Sequence, residues 1–94
     1  MEVELAEHIN EVDIQVVTGA GNFPSNGFEK YNSHQALQHV LDKAKEHLPL
    51  ENTSTWVVRL GDRELVPTNT IEANQIPSPS RIAWGPVERG GGKL

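Results

Sequence analysis

One apolar stripe limits what this chain can fold into more than any other feature. Leu37, Val40, Leu41, Ala44 and Leu48 recur at the offsets i, i+3, i+4, i+7 and i+11 that place side chains on one face of an α-helix. A stripe on one side only predicts an amphipathic helix lying on a sheet. Pro49 ends it, because the residue before a proline is pushed out of the helical region. Asn32 or Ser33 is expected to cap its start, with Gln35 three residues after Asn32 as in a capping box.

On both sides of that helix the periodicity falls to two. V-D-I-Q-V-V-T, residues 12–18, alternates apolar and polar residues and is rich in β-branched side chains, which predicts a strand with Val12, Ile14 and Val16 on one face. Thr18 to Gly27 is crowded with glycine, asparagine, serine and proline and predicts a long flexible hairpin loop. Phe28 to Tyr31 follows as a short second strand with those two aromatics on opposite faces. Beyond the helix, Thr55 to Leu60 predicts a third strand, Gly61-Asp62 a turn and Arg63 to Val66 a fourth strand. After a turn-rich stretch containing Ile71 and Ile76, Arg81 to Trp84 gives the last strand. Val40, Leu41, Val58, Leu65, Ile76 and Ile82 are expected to meet in one core, with Trp56 and Trp84 as inward anchors.

The order β-β-α-β-β-β, with a leading hairpin and a right-handed crossover through one helix, is that of an α+β β-grasp fold, a mixed sheet packed on one helix. At 94 residues there is room for one such core. The expected organisation is a mobile N-terminal arm over 1–11, the β-grasp domain over 12–85 and a flexible C-terminal tail over 86–94.

Composition narrows the chemistry. Thirteen acidic against eight basic residues give a net charge of −5, which argues against a nucleic-acid partner, since that binding neutralises phosphates with basic side chains. With no cysteine the chain has no disulfide, no thiolate metal site and no nucleophilic thiol, so thiol chemistry has to come from another protein. His8, His34, His39 and His47 lack zinc-site spacing. Gly19-Ala20-Gly21 is not a phosphate loop, because Pro24 and Gly27 stand where the phosphate-binding helix should begin. No serine or threonine sits in a recognised nucleophile motif, so the sequence carries no sign of a catalyst, and no cofactor or metal is expected. The acidic N-terminus is unlike a signal peptide, and no apolar run approaches the roughly 18 to 20 residues of a membrane span, so a cytoplasmic protein is expected.

The chemistry-bearing segment is at the other end, V-E-R-G-G-G-K-L. Gly90, Gly91 and Gly92 are followed by no helix and serve no phosphate cradle. Lacking Cβ atoms, they let a chain thread a narrow channel and let an active site reach the carbonyl at its end.

Here the chain resembles ubiquitin and its bacterial ubiquitin-like relatives. From Gly61 to Gly91 it can be laid without a gap on the C-terminal part of ubiquitin, with identities at Leu65, Thr70, Ile76, Ser80, Arg89, Gly90 and Gly91. Ile71, Ile82 and Trp84 fall where that family buries aliphatic residues. The arginine before the glycines is the most specific element. The resemblance implies a protein modifier. A processing peptidase exposes a terminal glycine, and an E1-like activating enzyme adenylates it with ATP and carries it as a thioester. An E2-like conjugating enzyme then helps join it to an amine on a target protein. It further implies a zinc-dependent JAB-type peptidase, with Arg89, Gly90, Gly91, Gly92 and Lys93 as the conjugation and processing residues; the third glycine leaves Gly91 or Gly92 as the mature end, and removal of Lys93-Leu94 alone is the simpler reading. Residues 86–92, at ~3.3 Å each, would reach roughly 23 Å into a partner's cleft.

The family's exposed aliphatic patch is represented here by Arg59 and Gly85, so receptors that read that patch are expected not to bind. Two of its chain-forming lysine positions are Arg63 and Ser78, which excludes chains through that surface. A sulfur carrier with a C-terminal thiocarboxylate shares the fold and is the alternative, against which Lys93-Leu94 weighs. A non-covalent interaction module is the third reading.

Overall fold

In the computed structural model, which describes residues 10–87, the apolar stripe forms helix α1 (Leu37–His47), with Leu37, Val40, Leu41 and Ala44 buried. The sheet beneath it consists of β1 (Glu11–Thr18), β2 (Gly21–Phe23), β3 (Glu29–Asn32), β4 (Val57–Leu60), β5 (Arg63–Glu64) and β6 (Ser80–Gly85). β1 and β6 are parallel neighbours at the centre, with Ile14 opposite Ser80 and Val16 opposite Ile82. β4 pairs antiparallel with the far side of β6, and β5 pairs with β4. β3 and β4 therefore run the same way on opposite sides of the central pair. The chain between them must cross the sheet, and α1 is that crossing.

Alternation along the strands sorts the two faces. Val12, Ile14 and Val16 of β1, Ile82 and Trp84 of β6 and Val58 of β4 point inward and are buried. They meet Val40 and Leu41 of α1 together with Leu65, Ile71 and Ile76, so the expected core is the one that forms. The result is the α+β architecture expected from the element order.

The hairpin departs from expectation. No long loop follows Thr18: the chain turns back at once through Gly19-Ala20, with Thr18 paired to Gly21. The Thr18 hydroxyl donates to the Gly21 carbonyl at 2.7 Å and accepts from the Ala20 amide at 3.1 Å. Gly21 sits at φ 138°, a conformation that glycine adopts freely. β2 and β3 are two halves of one return strand on the same edge of β1, separated by an excursion over residues 24–28. Phe23 stacks on His47 of α1 at 4.4 Å, a contact between distant residues that helps hold so short a strand.

The helix start also differs. Gln35 Oε1 accepts from the Asn32 amide at 3.2 Å and Asn32 Oδ1 from the His34 amide at 2.8 Å, but this pair closes a turn ahead of the helix. The capping residue is Ala36, with no side-chain cap. Instead the amides of Leu37 and Gln38 donate to the carbonyls of Asn69 and Pro67, each at 2.9 Å. Orphan amides of a first turn need acceptors from any source, and here a distant loop supplies them. At the other end, Leu48 before Pro49 is extended, as the proline requires.

Two predicted strands are shortened. The third begins at Val57, because Thr53–Thr55 form a 3-10 turn closed by the Trp56 amide on the Thr53 carbonyl. The fourth ends at Glu64, because the backbone of Val66 is bound by the buried side chain of Asn74. Asn74 Oδ1 accepts from the Val66 amide at 2.7 Å, and its Nδ2 donates to the carbonyls of Val66 and Thr70 at 2.9 and 3.0 Å. That one amide side chain closes the loop that delivers Ile71 and Ile76 to the core. The arm expected over residues 1–11 and the tail over 86–94 fall largely outside the described residues.

Candidate functional site

Arg89, Gly90, Gly91, Gly92 and Lys93 lie outside the described residues. What the structure describes is the ground they extend from, the C-terminal end of β6. That strand is held on both sides, with Val17 of β1 opposite Ala83 and Val57 of β4 opposite Gly85. The ladder stops at Gly85, and Pro86, which has no N–H, cannot continue it. Pro86 and Val87 are exposed, Val87 to 45%.

Around this point the outer face of the sheet forms a shallow groove of about 410 Å³, lined by Val17, Val57, Arg59, Ala83, Gly85 and Pro86. Strand alternation puts Val17, Val57, Arg59, Ala83 and Gly85 there, each beside an inward neighbour of the core, and Pro86 follows at the strand's end. Arg59 and Gly85, which the sequence resemblance sets against an aliphatic patch of ubiquitin, are thus brought into one groove. Arg59 is exposed and lies between Ala83 of β6 and Glu64 of β5 in the strand register. Among the described residues its guanidinium has no ion pair within 4.0 Å. A floor of small apolar groups with an arginine at its side suits a polar or acidic surface better than a flat aliphatic one.

Sequence reading missed a second cluster on this face. Gln15 points outward yet is only 4% exposed. Its Oε1 accepts from Arg81 Nε at 2.8 Å and its Nε2 donates to the Pro24 carbonyl at 2.9 Å. The Arg81 guanidinium lies 5.0 Å from the Phe28 ring. The 24–28 excursion therefore covers the outer face at this point. A polar residue between β-branched ones reads as solvent-facing, and nothing local signals the cover.

Tyr31 is buried under α1, its hydroxyl without a partner among the described residues. Burial first, and the charge of Glu29 second, push its phenol up to about 12, so it is a neutral hydroxyl at ordinary pH. Glu29 is ion-paired to Lys43, whose Nζ lies 6.0 Å from the Tyr31 ring. Arg63 and Ser78, which the sequence resemblance sets at lysine positions of ubiquitin, both bind backbone. Arg63 donates to the carbonyls of Asn74 and Gln75 at 2.6 and 2.9 Å, and Ser78 Oγ accepts from the Asp13 amide at 2.9 Å. Trp84 is buried and meets the half-buried Trp56 edge-on at 5.4 Å. His34 Nε2 lies 3.1 Å from Glu72 Oε1, and His39 is exposed. Among the described residues no group of three or more His, Cys, Asp or Glu is placed to hold a metal ion. No described helix is long and apolar enough to cross a membrane.

No family model matches the chain, and no curated protein matches it in sequence. Solved structures match it in shape. A designed protein based on ubiquitin is 17% identical with a TM-score of 0.64, over 86% of this chain and 94% of that one. The ubiquitin of Caldiarchaeum subterraneum is 19% identical with a TM-score of 0.54, over 86% and 99%. A chain in the crystal structure of a pParkin–pUb–UbcH7 complex is 14% identical with a TM-score of 0.60, over 83% of this chain and 23% of that one. The fold is therefore ubiquitin-like, a β-grasp sheet closed by one helix.

Proposed function

We infer that this protein is a ubiquitin-like modifier. Its C-terminal glycine is exposed by a JAB-type peptidase that cuts between Gly92 and Lys93. An E1-like activating enzyme then activates it through adenylate and thioester, and an E2-like conjugating enzyme passes it to target proteins. It is not itself an enzyme, since the cysteine and the activation chemistry are its partners'. The observation that carries this reading is the course of β6. A strand locked between two neighbours runs out at exposed Pro86-Val87, directly ahead of Glu88-Arg89-Gly90-Gly91-Gly92 in the sequence. A globular body can then dock while the segment beyond it enters a cleft, and three residues without side chains admit the narrowest of clefts. The likeness to a chain of the pParkin–pUb–UbcH7 complex supports enzyme partners of the ubiquitin kind.

The test is the mass of tagged protein recovered from its source organism, wild type beside a deletion of Gly90 to Gly92. Loss of Lys93-Leu94 and a set of conjugates are expected for the wild type, and no conjugates for the deletion. Wild-type conjugate levels in the deletion sink the modifier reading. A terminal gain of sulfur establishes the carrier alternative, and an unaltered mass leaves a non-covalent interaction module.

A further inference from the structure

We propose that Asn26-Gly27 is a self-modifying site, at which the protein converts Asn26 to isoaspartate without an enzyme and so loosens the loop that covers its own outer sheet face. The inference does not depend on the modifier reading. Among the asparagines of the chain, only Asn26 precedes a glycine. Both residues are exposed, in the excursion over residues 24–28 that leaves the ladder between β2 and β3. Gly27 stands at φ 73°, and the space a Cβ would fill there is open. Among the described residues, neither the Asn26 side chain nor the Gly27 amide makes a hydrogen bond. The fold withholds that freedom elsewhere. After Asn32, the Ser33 amide donates to the Asn10 carbonyl at 2.6 Å, and Asn32 Oδ1 accepts from the His34 amide at 2.8 Å. Asn74 is buried, its side chain bound to the backbone of Val66 and Thr70.

The reaction needs a backbone nitrogen that can shed its proton and a side chain free to turn onto it, and a following glycine has no Cβ to obstruct the approach. The Gly27 nitrogen, deprotonated by hydroxide, attacks Asn26 Cγ. The C–N bond of a cyclic imide forms, the Cγ–Nδ2 bond breaks, and the side-chain nitrogen leaves as ammonia with a proton taken from water. Water then opens the ring. Attack at Cγ leaves aspartate, and attack at the backbone carbonyl leaves isoaspartate, in which the main chain runs through Cβ. The second product bears on the fold. The excursion is pinned on both sides of Asn26, with the Pro24 carbonyl accepting from Gln15 Nε2 at 2.9 Å and the Phe28 ring 5.0 Å from the Arg81 guanidinium. Isoaspartate inserts one methylene and a carboxylate between those two anchors. Chain of a length fitted to both can no longer hold both, and Gln15, now 4% exposed, loses its cover.

The test is to age the purified full chain in mildly alkaline buffer beside Asn26→Gln, Asn26→Asp and a free peptide of residues 22–29. Fragment mass spectra locate each exchange of amide for acid and tell isoaspartate from aspartate, and ion exchange separates the isoaspartate form. The expected result is conversion at Asn26 ahead of every other asparagine, at a rate approaching that of the free peptide, and its loss in Asn26→Gln. The isoaspartate form is expected to unfold at a lower denaturant midpoint than fresh protein, whereas Asn26→Asp, with the charge but not the added methylene, stays near wild type. An Asn26 that persists in the folded chain while the peptide converts overturns the site, as does earlier conversion of Asn32 or Asn74. Equal midpoints for the isoaspartate form and fresh protein overturn the loosening, and a midpoint for Asn26→Asp as low as that of the isoaspartate form overturns the argument from chain length.

Discussion

The two faces of the central sheet obey different rules. On the inner face Val12, Ile14, Val16, Val58, Ile82 and Trp84 are buried; alternation placed the first three on one face, and the other three were expected in the core. On the outer face the same alternation places Gln15, Val17, Arg59, Arg81 and Ala83, but their surroundings vary from the sealed Gln15 to the open Arg59. Burial on the inner face follows from hydrophobicity, which is non-directional and is satisfied by any apolar neighbour. On the outer face it depends on particular hydrogen bonds to a particular loop. The inner face is robust to detail, whereas the outer face depends on it.

Leu41→Ala probes the inner face most severely. Leu41 is 1% exposed, and truncating so buried a side chain is expected to cost about 2 to 5 kcal/mol, read as a lower midpoint in denaturant. An unchanged midpoint would mean that the helix stripe does not close the core. Tyr31 tests a polar group sealed under the helix. Its phenol is pushed up from 10.0 to about 12, so the unfolded chain ionises first. That contribution is whole below pH 10 and is lost as pH rises from 10 towards 12, by up to ~3 kcal/mol. Tyr31→Phe should lack that part of the alkaline loss, and parallel pH profiles for the two proteins would refute the assignment. Gln15→Ala tests whether the outer face is sealed where the excursion covers it. Removing the partner of Arg81 Nε and the Pro24 carbonyl should cost about 1 to 2 kcal/mol. A change within about 0.5 kcal/mol, as for an ordinary surface site, would show that the loop adds nothing there.

Most of the fold was legible in residue order. The stripe from Leu37 to Leu48 specified α1, Pro49 its end, and V-D-I-Q-V-V-T the first strand with its inward residues. β2 was hidden because G-N-F looks like part of a loop, and its strand character comes from pairing with Val16 to Thr18. The helix cap was misassigned because Asn32 and Gln35 do interact as a capping pair should, only one turn too early. The groove at the base of the tail was half legible: Arg59 and Gly85 were singled out, but Val17 and Ala83 become its lining only when β1 and β6 lie side by side.

By itself the sequence determined the class of fold, the composition of the core and the absence of any thiol, because each follows from properties that one residue or one short period carries alone. It also placed a glycine-rich segment beyond the last strand. Tertiary structure decided which carbonyls cap α1, that Gln15 is enclosed, and that Asn74 shortens β5. Those outcomes depend on hydrogen bonds and charges between residues far apart in the chain. Such bonds are strong only at short range and in defined directions, so no local pattern announces them until hydrophobic burial has brought the two ends together.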